Sequence, residues 1–141
     1  MNINNEPSTQ RVTIILHSSS YDRVTNALSL AIVSMAMGME AHILLTYGGL
    51  NRFVKGHLDD AEDTDSELLS VLQESIAEGH NHSIEQKLAT AHEMGLKLYG
   101  CANAMDTMGI NFEDLVAEVD EVIGFASFIQ IARNASINWY I

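Results

Sequence analysis

Short runs of β-branched and apolar residues alternate along the chain with longer segments of helical periodicity. The short runs are typical of buried strands and the longer ones of amphipathic helices. The predicted strands are Arg11–Leu16, Ala41–Thr46, Leu96–Gly100, Glu121–Gly124 and Ser136–Ile141. The predicted helices are Tyr21–Met37, Ser66–Glu78, Ser83–Met94, Cys101–Met108, Phe112–Val119 and Phe125–Asn134. Since helices between successive strands imply crossover connections, the pattern predicts a three-layer α/β/α domain whose sheet has about five strands and is mainly parallel.

The first predicted helix carries signals at both ends. Ser18, Ser19 and Ser20 offer N-cap hydroxyls, and Asp22 follows Ser19 at the spacing of a capping box. Gly38 is placed to end the helix. Because the helix is apolar on nearly every side, we expect neighbouring elements to cover most of it.

Length and composition limit the class of protein. The chain has 141 residues, of which 47% are hydrophobic, so one domain with a substantial core is expected over residues 11–141. Residues 1–10 are polar and are interpreted as a flexible leader without a secretion signal, which favours a cytoplasmic location. No apolar stretch is long enough to suggest a membrane span. A net charge of −12 argues against a nucleic-acid partner, because phosphate binding needs Lys and Arg.

The negative charge is concentrated in one segment. Residues 56–86 contain nine acidic residues and neither Lys nor Arg, so −12 + 9 leaves −3 for the remainder. We interpret this acidic insertion as a solvated surface loop leading into an acidic helix. The alternative is a site for a cation or a partner protein, although an EF-hand is excluded by the ligand spacing.

The predicted strands end in residues that could form a pocket. Ligands of open parallel sheets bind beyond the carboxyl ends of the strands, where small residues allow close approach. Six residues at or near those ends are candidate pocket residues: His17, Ser18, Tyr47, Gly48, Gly49 and Asn103.

Cys101 is the main candidate for chemistry at the same edge. It is the only cysteine, so an internal disulfide and a resolving thiol are excluded. Its position between a strand and a helix favours a thiolate, which is the nucleophilic form of cysteine. His17 is a candidate base, if the fold brings it near. The alternative is that Cys101 is an inert residue that fills core space.

Metal and cofactor sites receive little support from the sequence. His80 and His82 lie in a predicted loop without a nearby thiolate, and no metal site is assigned. Gly48 and Gly49 are not followed by the spacing of a phosphate-binding loop, so no cofactor is predicted. Nucleotide or flavin binding would rest on analogy of fold alone.

Two stretches resemble the DsrE/DsrF-like sulfur-relay family, in particular its DsrE-like peroxiredoxin subgroup. They are LYGCANAMDTMGI at residues 98–110 and AMGMEAHILLTYGGL at residues 36–50. The resemblance implies a small α/β domain that assembles into trimers or hexamers, with a dimer as a further possibility. It also implies that Cys101 carries sulfane sulfur as a persulfide between donor and acceptor proteins. Gly48 and Ala104 differ from the subgroup's usual aromatic and hydroxyl residues.

The sequence supports two hypotheses about the function of the protein. The first is a sulfur carrier of the sulfurtransferase type that uses Cys101. The second is a non-catalytic oligomeric scaffold or small-ligand-binding protein in which Cys101 is structural.

Overall fold

A computed structural model describes residues 9–61 and 64–141, so the first eight residues of the predicted leader lie outside it. Five strands form one sheet in the order β4-β3-β2-β1-β5, and every neighbouring pair is parallel. The strands are β1 (Arg11–Leu16), β2 (Glu40–Leu45), β3 (Lys97–Cys101), β4 (Glu121–Ile123) and β5 (Ile137–Tyr140). All five predicted strands are therefore confirmed, with shifts at their ends.

Helices lie between the strands, as the alternating pattern predicts. They are α1 (Tyr21–Ala36), α2 (Gly48–Arg52), α3 (Ser66–Ala77), α4 (Ile84–Glu93), α5 (Ala102–Met108) and α6 (Phe125–Ala132). This arrangement is consistent with the predicted three-layer α/β/α fold. Among the described helices, none is both long and apolar enough to cross a bilayer.

The register of the sheet places its most apolar positions on one face. Val12, Ile14 and Leu16 of β1 lie beside Ala41, Ile43 and Leu45 of β2, and all six are buried. α1 contacts both strands and also packs on α4. This parallel, covered arrangement explains why the two strands read as continuous apolar runs.

The first helix begins and ends as predicted, but the predicted capping box at its start does not form. Gly38 follows the C-cap and has a φ of 86°, which suits glycine. Ser20 is the N-cap, yet its side chain makes no capping hydrogen bond, and its Oγ lies 3.0 Å from Ser18 Oγ instead. The predicted box of Ser19 and Asp22 is thus wrong. Most positions of α1 are buried or partly buried, as expected, although Val33 is 57% exposed.

The helix predicted over Phe112–Val119 is wrong. Only Phe112–Asp114 form a 3₁₀ turn. The chain then extends, because Leu115 forms an antiparallel bridge with Val54 and the Val116 N–H donates to the Phe53 carbonyl at 2.9 Å. Long-range pairing therefore overrides the local helical pattern.

The acidic segment is partly ordered by its own carboxylates. Asp65 caps α3 by accepting from the N–H groups of Glu67 and Leu68, both at 3.1 Å. Asp59 accepts from the N–H groups of Ile84 and Glu85 at the start of α4. Two acids in this segment therefore stabilise helix ends, in addition to the solvated surface that the sequence indicates.

Candidate functional site at the carboxyl edge of the sheet

The order of the strands defines where a ligand crevice should open. From β1 the chain adds β2, β3 and β4 on one side, and β5 then returns to the other side of β1. In open parallel sheets, ligands bind at such a reversal, beyond the carboxyl ends of the two strands concerned. The strand order therefore predicts a ligand-binding crevice at the carboxyl ends of β1 and β5.

A cleft of about 390 Å³ is present at this place and is lined by His17, Ser18, Arg23, Tyr140 and Ile141. The Ile141 carbonyl accepts from the N–H groups of His17 and Ser18, at 2.7 and 3.2 Å, which joins the ends of β1 and β5. We call this the β1–β5 cleft. It contains two of the six predicted pocket residues.

Arg23 and Tyr140 are cleft residues that the sequence reasoning missed. Arg23 is one of only seven basic residues and lies in the first turn of α1. A cation in that position opposes the helix dipole, which is a signal that could have drawn attention to it. No local sequence signal could have placed Tyr140 in the cleft, because its position beside β1 depends on the order of the strands in the sheet.

His17 lies between two tyrosine rings. Its ring centroid is 5.7 Å from that of Tyr47 and 5.8 Å from that of Tyr140, with the latter pair stacked. Tyr47 is the one described non-glycine residue with a positive φ, at 44°. Such strain is uncommon for a bulky residue and tends to occur at functional sites, so it supports the assignment of this edge.

Gly48 and Gly49 allow the turn after β2 to lie against the end of β1. A Cβ on Gly49 would stand 2.2 Å from the Leu16 carbonyl oxygen, and one on Gly48 would stand 2.8 Å from the His17 carbonyl oxygen. The Gly49 N–H donates to that same His17 carbonyl at 3.1 Å. The two glycines therefore shape the edge through close backbone approach, and they begin α2, a helix that the sequence reasoning did not predict.

Cys101 is the last residue of β3 and the N-cap of α5. It is a free thiol, and its exposed fraction is 0%. The predicted position between a strand and a helix is thus confirmed, but the side chain belongs to the hydrophobic core. Asn103 follows it in the first turn of α5 and is exposed.

His17 and Cys101 are not brought together. His17 follows β1 and Cys101 ends β3, and β2 lies between these strands. Two strand spacings correspond to roughly 10 Å, which is beyond hydrogen-bond reach. The β1–β5 cleft likewise does not include Cys101. A proton transfer from the Cys101 thiol to His17 is therefore not supported by this geometry.

A buried polar pair occupies the face of the sheet that Cys101 shares with Tyr99. The Tyr99 hydroxyl lies 2.8 Å from His42 Nδ1, and their rings are stacked. Burial, followed by the Glu121 charge, raises the pKa of Tyr99, whereas burial lowers the pKa of His42. His42 is therefore held towards its neutral form, although its Nε2 also lies 3.1 Å from Glu40 Oε1, and this face supplies hydrogen-bonding groups near the strand of Cys101.

Arg52 is a buried cation that holds the surrounding loops together. Its guanidinium donates to the carbonyls of Ser19, His57 and Asp60, with shortest distances of 2.6, 3.2 and 2.6 Å. It also lies over the Tyr21 ring, at 5.8 Å from the centroid. Sequence reasoning missed this residue, because nothing in its local pattern indicates that the Ser19 carbonyl converges on it with those of the nearby His57 and Asp60.

Tyr21 connects this cluster to the acidic segment. Its hydroxyl donates to Asp59 Oδ1 at 2.5 Å. Burial and the Asp59 carboxylate raise the pKa of Tyr21, so the hydroxyl remains protonated and available as a donor.

No cluster of three His, Cys, Asp or Glu residues that could hold a metal ion occurs within residues 9–61 and 64–141. His80, one of the two histidines that the sequence offers as possible metal ligands, has its Nε2 3.6 Å from Glu78 Oε2 at the exposed end of α3.

Comparison with solved structures defines the class of fold. The chain is similar to the YchN protein of E. coli, with a TM-score of 0.67 and 16% identity over 95% of this chain and 100% of that one. It is also similar to MTH1491 of Methanobacterium thermoautotrophicum, a protein of unknown function, with a TM-score of 0.64 and 15% identity over 92% and 98% of the two chains. These values show a shared fold.

The family model for DsrE/DsrF/DrsH-like proteins matches residues 66–140, and the chain belongs to this family. The chain is also similar to the uncharacterized protein YrkE of Bacillus subtilis, with 26% identity over 94% of this chain and 98% of that protein. The matched region includes Cys101, the strand β3 that it ends, and the later strands β4 and β5. The resemblance noted from residues 98–110 is thereby confirmed at the level of the family.

Proposed function

We propose that the protein is a sulfur carrier in which Cys101 holds sulfane sulfur as a persulfide and passes it to a partner protein. The observation that carries the proposal is the position of the only thiol at the carboxyl end of β3, within the segment matched by a DsrE/DsrF/DrsH-like model. Cys101 is also the N-cap of α5, so the thiol stands where β3 passes into that helix.

The proposed transfer needs no external oxidant. The Cys101 thiolate attacks the outer sulfur of a donor persulfide, so a new S–S bond forms while the donor's S–S bond breaks. The bonding electron pair leaves with the donor, which becomes a thiolate. An acceptor thiolate then attacks the outer sulfur on Cys101 and regenerates the Cys101 thiolate.

A second function is favoured by one specific observation. Because Cys101 has no exposed surface, it also fits a non-catalytic scaffold or small-ligand-binding protein in which the thiol only fills the core. For sulfur transfer, the contacts around the end of β3 and the start of α5 would have to open before a donor could reach the sulfur.

Intact mass spectrometry after incubation with a low-molecular-weight persulfide separates the two functions. The carrier hypothesis predicts the addition of one sulfur atom to the native protein and none to Cys101→Ser. Equal gain by Cys101→Ser contradicts it. The scaffold hypothesis predicts that Cys101 gains sulfur or is alkylated only after denaturation. The same reactions in urea are therefore the control for whether reagents can reach the thiol in the native protein.

We also propose that the chain forms a homo-oligomer through the outer face of α6. Phe125 and Ile129 are 52% and 62% exposed, and Phe128 is the one buried residue of this helix. Tyr140 of the neighbouring edge strand is exposed as well. Exposed apolar side chains that lie together typically mark a protein interface, and a second copy of the chain would cover them symmetrically.

Ile129→Glu is expected to reduce the particle mass to that of a single chain, because a carboxylate would have to be buried in the interface. Light scattering measures this change. Val33→Glu is the matched control, since Val33 is similarly exposed but lies on α1. A wild-type protein that is already monomeric, or an Ile129→Glu variant that keeps the wild-type mass, contradicts this interface.

A further inference from the structure

A second cleft, of about 460 Å³, lies away from Cys101, between α1, α3 and α4. We call it the α1–α4 cleft. Its lining is almost entirely polar, with Leu72 of α3 as the apolar exception. The lining residues are Asp22, Arg23, Thr25, Asn26, Ser29, Leu72, Asn81 and Lys87.

Lys87 is the central cation of this cleft. Its Nζ donates to Thr25 Oγ1 at 2.7 Å and to Ser29 Oγ at 3.0 Å. Thr25 and Ser29 lie one turn apart on α1, so both hydroxyls face α4. The Lys87 side chain is half-buried, and this burial lowers the pKa of its ammonium group.

Lys87 has no carboxylate partner in the part of the chain that the structure describes. The ion pairs formed there involve Arg11, His42, His57 and His80 instead. The chain has nineteen acidic residues and only seven Lys and Arg residues. A half-buried cation without a counter-charge is costly, and in so acidic a protein this arrangement points to an anion from outside the chain.

The hydroxyls beside Lys87 are oriented differently from four other helical hydroxyls in the described residues. Each of these four donates to the carbonyl four residues earlier. The four belong to Ser34, Ser70, Thr90 and Thr107. Thr25 and Ser29 accept from Lys87 and have no such carbonyl bond within the described residues, so their protons are available to a ligand.

Arg23 adds a second cation to the rim of the same cleft. It is exposed, and within the residues that the structure describes it has no carboxylate at ion-pair distance. Asp22 contributes the only carboxylate of the lining, so the cleft carries a net positive charge. Asn26 and Asn81 supply amide groups, which can donate hydrogen bonds to oxygen.

We propose that the α1–α4 cleft binds a phosphate-type oxyanion, with Lys87 as its main charge partner, Thr25 and Ser29 as hydroxyl donors, and Arg23 closing the rim. A compact anion with several acceptor oxygens satisfies all four groups together, whereas an apolar ligand satisfies none of them. The source of the oxyanion is either a free anion or the phosphate of a larger ligand.

Isothermal titration at low ionic strength, with inorganic phosphate and with AMP as separate titrants, tests this site. Wild-type protein is expected to bind at least one titrant, and Lys87→Met to bind it about tenfold more weakly or worse. Lys97→Met removes one exposed lysine outside the cleft and is expected to bind as the wild type does. Tighter binding of AMP assigns the oxyanion to a nucleotide-like ligand, and tighter or equal binding of phosphate assigns it to a free anion.

Thermal unfolding without ligand provides an independent readout. Met keeps much of the apolar stem of Lys87 and removes the unpaired charge, so Lys87→Met is expected to melt no lower than the wild type. If Lys87 served only to stabilise the fold, Lys87→Met would instead melt at a lower temperature than the wild type.

Two milder variants keep the test decisive if Lys87→Met does not fold. Arg23→Gln and Ser29→Ala alter the cleft at exposed or partly exposed positions, and each is expected to weaken binding. The proposal is overturned if the wild type binds neither titrant, or if all the cleft variants that fold bind as tightly as the wild type.

Discussion

Gly49→Ala is expected to lower the free energy of unfolding by about 3 kcal/mol. This value is in the upper part of the range for substitutions that add atoms at a tightly packed position. The new Cβ would stand 2.2 Å from the Leu16 carbonyl oxygen and 2.9 Å from its carbon, both of which are backbone atoms. The turn after β2 must therefore move away from β1. That movement would disturb the hydrogen bonds from Gly49 N to His17 O and from Thr46 N to Leu16 O.

Urea denaturation measures this loss, and Gly124→Ala provides the matched control. Gly124 also follows a strand, but a Cβ there has nothing within 4 Å, and its φ of −86° is accessible to alanine. The control is expected to unfold close to the wild type. Similar stability of the two variants would contradict the close approach at Gly49.

Arg52→Met is expected to lower the free energy of unfolding by about 3 kcal/mol, because several carbonyls around this buried side chain lose their hydrogen-bond donor. Ser19 lies between β1 and α1, whereas His57 and Asp60 lie in the acidic segment. Arg52 therefore holds two connections that are far apart in sequence. Its loss is expected to loosen both, which amide hydrogen exchange of residues 17–20 and 57–60 would report.

Arg133→Met is the control for removing one arginine. Arg133 is exposed after α6, and a substitution there is expected to change stability by no more than about 0.5 kcal/mol. If Arg52→Met were equally mild, or if faster exchange were spread over the whole sheet, the proposed bracing of the two connections would be wrong.

The sequence predicts the layers of this protein well, because β1, β2 and β3 are largely buried within the domain. The run from Arg11 to Leu16 is apolar for that reason, and glycines such as Gly109, with a φ of 66°, mark helix ends. The pattern fails where a distant segment decides the conformation. Residues around Leu115 have helical periodicity, but the bridge to Val54 extends them.

The candidate site is predictable in position but not in its contacts. Parallel strand ends bring His17, Tyr47 and Cys101 to one edge, which the pattern alone indicates. Which strands are neighbours is a property of the whole sheet, and the order places β2 between His17 and Cys101. The complete burial of Cys101 likewise depends on the packing around β3 and α5 rather than on its neighbours in sequence.

The pairing of β1 with β5 has a consequence for folding during synthesis. Val12 pairs with Ile137, so the second neighbour of β1 is translated long after β1 and β2. Until then β1 is an edge strand with unpaired N–H and C=O groups, and such edges can pair with other chains. Because this contact is also among the most distant in sequence, closing it is expected to be a late step in folding.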